Sequence, residues 1–240
     1  MPTVTRAAQT QSSPRLARLL RVWLLVLIGV AVDLVALRVA TYPAFFTMPG
    51  ALGYLVPLLV ALAIYAAAIV ALPRLAGRAP AAATALRVGT VAGVIGGALD
   101  VANITLESVV TLPQPVVSVT TLAGMLGLFL AFGAAGFAGG RSAGFWLGVG
   151  AAVWSGMVAI LIAITFGFLL ANVALPRLAH DMASDPDYLR SGWTDVRAFA
   201  IANTDDAGFT HLLEGPIIAF VLGAAGSGLG RIGARRVGRP

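Results

Sequence analysis

Residues 145–172 read FWLGVGAAVWSGMVAILIAITFGFLLAN, 28 consecutive positions without a charge. As a helix rising about 1.5 Å per residue, this run is longer than a hydrocarbon layer of about 30 Å. It has no period-two alternation, which argues for a tilted membrane helix over a barrel strand. The rest of the chain repeats the pattern. Apolar runs at about 22–41, 51–72, 88–109, 117–138 and 208–229 are separated by short charged stretches. The reading is an all-α integral membrane protein, a bundle of six transmembrane helices forming one domain over 15–240.

Composition agrees. The 240 residues are 59% hydrophobic and 11% charged, against about 25% charged in soluble domains. Mean hydropathy is +0.92. All 16 basic residues are Arg; the absence of Lys beside 28 Gly fits a GC-rich bacterial genome. With no Cys, disulfides, thiol nucleophiles and Cys-held metals are excluded. Residues 1–14 are small and polar and read as a disordered tail. The first apolar run contains Asp33 and Arg38 and is followed by no clear A-x-A site, so it reads as an uncleaved helix rather than a signal peptide.

The arginines flank the runs instead of forming one basic face, which speaks against nucleic acid as a partner and for topology. With the N-terminus in the cytoplasm, twelve arginines fall inside and Arg38, Arg177, Arg190 and Arg197 outside. That bias predicts both ends inside and a multi-pass location in the cell (inner) membrane. Tyr42, Phe45, Phe46 and Tyr54 would then line the outer interface, and Trp23 and Trp146 the inner one. Residues 174–207 are polar and interrupted by Pro176, Pro186 and Gly192. They predict a short extracytoplasmic helical cap, with Ser184 or Asp185 capping one helix and Thr194 another.

Two repeated patterns stand out. Val70-Ala-Leu-Pro-Arg-Leu-Ala76 recurs as Val173-Ala-Leu-Pro-Arg-Leu-Ala179. Inverted repeats do this, but in a chain so rich in Ala, Leu and Val, duplicated helix-end chemistry or coincidence explains it more simply. Gly89, Gly93 and Gly97 form a small-residue face, and Gly136/Gly140 and Gly144/Gly148 repeat the spacing. Such faces pack helices closely, within one chain, in an oligomer or against a partner membrane subunit.

The chemistry-bearing residues are the acids inside the spans: Asp33, Asp100, Glu107 and Glu214. Counted from the flanking arginines, Asp33 and Asp100 lie about 18–20 Å from the inner boundary and Glu214 about 9 Å below the outer one. Three helices thus carry a carboxyl at a similar height, with Glu107 nearer the outer edge. Asp100, Asn103 and Glu107 share one face of the third span, and His211 and Glu214 one face of the sixth. Pro216 would free a backbone carbonyl near the same level.

A charge at mid-bilayer costs at least about 2.5–3.5 kcal/mol, so these groups should face the bundle interior. Two arrangements satisfy that. The acids line an outward-facing cavity for a proton, a small cation or an amine-bearing solute, making a transporter or channel-like protein. Alternatively Arg38 pairs with Asp33, Asp100 or Glu107, and His211 with Glu214, so that the charges only lock helices in an accessory or scaffold protein. Four acids against one Arg favour some binding role.

Other chemistries find no support. Gly228-Leu-Gly230-Arg-Ile-Gly233 matches a dinucleotide motif but ends a membrane helix with no room for a βαβ unit. There is no P-loop and no H-E-x-x-H. His180, Asp181, Asp185 and Asp187 read as a solvated patch rather than a metal site. Ser155 and His211 fall at different heights, so no catalytic pair, cofactor or metal is expected.

Overall fold

The computed structural model describes residues 14–76, 79–108 and 113–237; the tail expected at the N-terminus lies almost wholly outside them. The described chain is helical throughout: α1 Pro14–Thr41, a 3-10 turn Pro43–Thr47, α2 Ala51–Ala76, α3 Pro80–Ser108, α4 Gln114–Ala143, α5 Phe145–Met182, α6 Pro186–Ser191 and α7 Val196–Val237. Six of these helices are long and apolar enough to cross a membrane. The chain is therefore a multi-pass membrane protein by length and composition.

Glycine contacts give the relative directions of four of the helices. A Cβ placed on Gly89, Gly93 or Gly97 of α3 would strike Ala151, Ser155 or Ile162 of α5 in rising order, so these two helices run parallel. Gly136 and Gly140 of α4 meet Gly223 and Ser227 of α7, and Gly133 and Phe137 meet Gly226 and Gly230, each row in rising order and so again parallel. Gly148, Gly156 and Phe168 of α5 meet Ser227, Ala219 and Gly208 of α7 in falling order, an antiparallel pair. Helices α3, α4, α7 and α5 thus form a four-membered ring in which α3 and α7 stand diagonally opposite. Gly144 lies in the turn between α4 and α5 at φ 100°. The other glycines of the faces read from the sequence pack within the chain.

Helices α1 and α2 lie outside the ring, against α5 and α7. The packed face of α1 is Leu24, Ile28, Ala31 and Val35, spaced i, i+4, i+7, i+11 as a helical stripe requires. One end of the bundle, the arginine end, holds the arginine-flanked helix ends. The other holds the cap.

The cap differs from the expectation of separate short helices over 174–207. Helix α5 runs on to Met182 through non-helical dihedrals at Ala174, two residues before Pro176, whose ring and missing N–H weaken the helix there. Helix α7 starts at Val196, so the stretch through Asp205 belongs to a long membrane helix. Asp185 caps α6 by accepting from the Asp187 amide at 2.7 Å, and Gly192 closes it in the left-handed region at φ 73°, where glycine carries no Cβ penalty. Asp195, rather than Thr194, caps α7, accepting from the amides of Arg197 and Ala198 at 2.9 and 3.1 Å.

An aromatic cluster ties the cap down. Trp193 meets Phe45, Tyr54 and Phe199 edge-on at ring-centroid distances of 5.9–6.5 Å. The Tyr42 hydroxyl donates to Asp195 Oδ2 at 2.6 Å. The aromatic belt expected at this end therefore serves largely as a packed seam. At the arginine end Trp23 and Trp146 are exposed, as interfacial anchors are.

Candidate functional site

A cavity of about 410 Å³ lies within the ring of α3, α4, α5 and α7, toward the cap end. Its origin is local. Near the arginine end, glycines bring α4, α5 and α7 into backbone contact. Toward the cap the lining becomes Phe129 and Phe132 of α4 and Ile160, Ile164 and Phe168 of α5; α5 still packs on α7 there, Ile160 against Gly215 and Phe168 against Gly208, and α4 stands off.

Five of the seven residues singled out from the sequence line this space: Asp100, Asn103 and Glu107 from α3, and His211 and Glu214 from α7. The i, i+3, i+7 spacing on α3 and the i, i+3 spacing on α7 turn both sets toward the diagonal of the ring. Asp100 is half-buried and within electrostatic reach of both His211 and Glu107. Glu107 Oε1 accepts from the Asn103 amide at 3.2 Å and from the Thr121 hydroxyl of α4. His211 Nδ1 donates to its own helix at Ala207 O, 2.7 Å away. That bond fixes the ring and leaves Nε2 as its other polar atom. Thr121 and Thr204 add hydroxyls to the lining.

Asn103 is 8% exposed, and its Oδ1 has no hydrogen-bond partner. A buried amide oxygen left alone costs about 1–3 kcal/mol. The oxygen lies against Gly124 of α4, so the unpaired acceptor is enclosed at the α3–α4 contact beside the cavity.

Two sequence-derived residues fall elsewhere. Asp33 is exposed on α1 and does not line the cavity. It lies two residues from both Ala31 and Val35, hence about 200° around the helix from the packed stripe. Shared height does not mean shared direction. Arg38 is buried and also misses the cavity. It pairs with Asp205 of α7, not with Asp33, Asp100 or Glu107. Its guanidinium lies 5.3 Å from the Phe168 ring centroid, and Phe168 lines the cavity. One aromatic ring therefore touches both the ion pair and the acidic space. His211 and Glu214, partners in the structural alternative, form no ion pair with each other.

Sequence reasoning misses Asp205, because the polar stretch around it reads as part of the cap. A signal for it exists: Ala198, Ala202, Asp205 and Leu212 keep one helical face buried straight through that boundary. The carbonyl freed by Pro216 is that of Leu212, four residues earlier, and it is also accounted for. The Tyr65 hydroxyl of α2 donates to it at 2.7 Å, outside the cavity.

Ser155 is fully buried with an unpartnered hydroxyl, but it is not part of the cavity wall. No family model, curated protein or solved structure matches this chain.

Proposed function

We propose that the protein binds a cation, or a solute linked to a cation or proton, in this cavity and carries it across the membrane. In the orientation favoured by the arginine bias, the cap is extracytoplasmic and the cavity lies in the outer half of the bundle. One observation carries the reading: carboxyls from two diagonally opposed helices, Asp100 and Glu107 on α3 and Glu214 on α7, surround one space, while the arginine that would neutralise them pairs with Asp205. Carboxylates at such depth are stabilised by protons or by a cation. Asn103 and His211 add polar side chains to the same lining.

The Arg38–Asp205 pair favours the second reading, a scaffold, for its own part of the molecule. Its residues are 1% and 0% exposed, and it joins α1 to α7 as a structural lock would. A scaffold protein needs such locks but has no use for an unpaired acidic cavity.

Asp100→Asn in lipid nanodiscs separates the two. The transporter reading expects the variant to insert and fold normally while its thermal midpoint loses the dependence on pH and on added cation shown by the wild type. Failure to insert, or an unchanged response, supports a structural role for Asp100.

A further inference from the structure

The shape and lining of the cavity say more about the ligand than its charge does. A site for a bare metal cation surrounds it with oxygen ligands at 2.3–2.6 Å for calcium-like ions, about six to eight of them. This space is far too large and too apolar for that. Its floor and two of its walls are hydrocarbon and aromatic: Leu128, Phe129, Phe132, Ile160, Ile164 and Ile218. The carboxyls occupy the other two walls, on α3 and α7.

The cavity is also open in a particular direction. At the arginine end α4 packs on α7 through Gly133, Gly136 and Gly140. Toward the cap, α4 stays on α3 instead: Gly124 sits against Asn103, Gly127 against Leu99, and Thr121 bonds Glu107. The cavity lies between this part of α4 and α7. Its edges there are unburied on both sides: Met125, 46% exposed, on α4, and Ala207, His211 and Glu214 on α7. Helix α4 is the span least covered by the rest of the chain. The gap therefore opens on the outside of the bundle.

Resting on the cation-binding reading above, we infer that the ligand is an amphiphilic ammonium compound, with one cationic head and an apolar tail, and that it enters sideways from the bilayer between α4 and α7. The head sits between Asp100 of α3 and Glu214 of α7, the carboxyls that face each other across the space. Phe129, the least buried aromatic ring of the lining, is the candidate for contact with the cation or its methyl groups. The tail lies on Leu128, Ile160 and Ile218, or extends through the gap into the acyl chains.

The test is a competition series on the full-length protein in nanodiscs. Tetramethyl-, butyltrimethyl-, hexyltrimethyl- and decyltrimethylammonium compete against radiolabelled decyltrimethylammonium, with empty nanodiscs subtracted. Affinity referred to aqueous concentration should rise about fourfold per methylene, and decanol, which has the tail without the charge, should compete at least about tenfold more weakly than the decyl cation. Equal affinity for tetramethyl- and decyltrimethylammonium overturns the amphiphile and leaves the cation site standing. Equal competition by decanol overturns the ammonium head. Absence of saturable binding by every cation, with potassium and methylammonium also failing to shift the thermal midpoint, breaks the cation-binding reading itself.

The route is tested separately. Because the chain has no cysteine, Met125→Cys carries a single spin label. Collision with oxygen exceeding collision with a water-soluble nickel chelate is the expected result; the reverse ratio overturns access from lipid.

Discussion

Helix α4 parts from α7 toward the cap, whereas the two lie in backbone contact at the arginine end. At the arginine end, α4, α5 and α7 approach until a single Cβ would not fit: at Gly140 it would lie 2.6 Å from the Ser227 backbone, and at Gly139 2.8 Å from Gly148 Cα. Ser227 reinforces the junction by donating to Phe145 O at 2.7 Å. Toward the cap, a Cβ added at Gly167 would meet nothing within 4 Å, and the residue borders open space. Lipid gives no hydrophobic drive for helix association, so close packing has to supply it. The glycine seam does so at one end, which leaves the other end free to keep a cavity that a uniformly packed bundle would have closed.

The sharpest way to break this contrast is a pair of glycine substitutions. Gly140→Leu should prevent assembly, since the clash is with backbone rather than with a flexible side chain and exceeds the usual overpacking cost of about 1–3 kcal/mol. Gly167→Leu should leave the folded yield near wild type but reduce binding of the proposed cationic ligand by filling the cavity. Size-exclusion profiles and thermal midpoints in detergent check both. Equal damage at the two sites would mean that the cap half is packed as tightly as the other.

Next in size is the Arg38–Asp205 pair, which lies at the cap end yet is sealed. Arg38→Met alone leaves a buried carboxylate and should cost about 3–5 kcal/mol. Arg38→Met with Asp205→Leu should recover most of it, because replacing both charges with apolar groups is often neutral. Thermal or denaturant unfolding of the two singles and the double closes the cycle. A double variant no better than the singles would mean that the charges do more than hold α1 to α7.

Tyr65→Phe is a smaller perturbation of the same half. It strands the Leu212 carbonyl that Pro216 leaves without an intrahelical donor, at a cost of about 1–3 kcal/mol. Pro216→Ala should suppress that loss by restoring the amide. If Tyr65→Phe is silent in the thermal midpoint, the carbonyl has found another partner.

What the sequence makes legible depends on which interactions are local. The six spans are readable as continuous runs, where lipid imposes the pattern residue by residue. The Asp100–Asn103–Glu107 face follows from helical spacing, and so does His211–Glu214. What spacing within one helix does not give is the azimuth of that helix in the bundle. Asp33 stands at a suitable height on α1 and points away from the ring, because Leu24, Ile28, Ala31 and Val35 claim the inner side. Arg38 meets Asp205 across 167 positions of chain, beyond any local pattern. The start of α7 is obscured for a different reason: Asp205 and Asp206 look like the polar edge of a loop, whereas the first of them is paired inside the bundle.

The smallest effect expected lies at the cap seam, outside the spans, where Tyr42 meets Asp195. Burial raises the affinity of the Asp195 carboxyl for a proton, but the Tyr42 hydroxyl and the amides of Ala198 and Arg197 outweigh it and hold the group below its ordinary value. A carboxyl depressed on folding stabilises the native state above its unfolded pKa of about 4, and that stabilisation is lost as pH falls through the lower folded value. Tyr42→Phe removes the largest of the favourable bonds. The variant should therefore be slightly less stable than wild type at neutral pH, with the two converging as pH drops below about 4. The site is largely open to water, so screening keeps the difference small. Measured as hydrogen exchange at the first turn of α7, it should be confined to the cap and leave the cavity untouched. A difference that persists undiminished at low pH would assign the contribution of Tyr42 to its aromatic packing instead of its bond to Asp195.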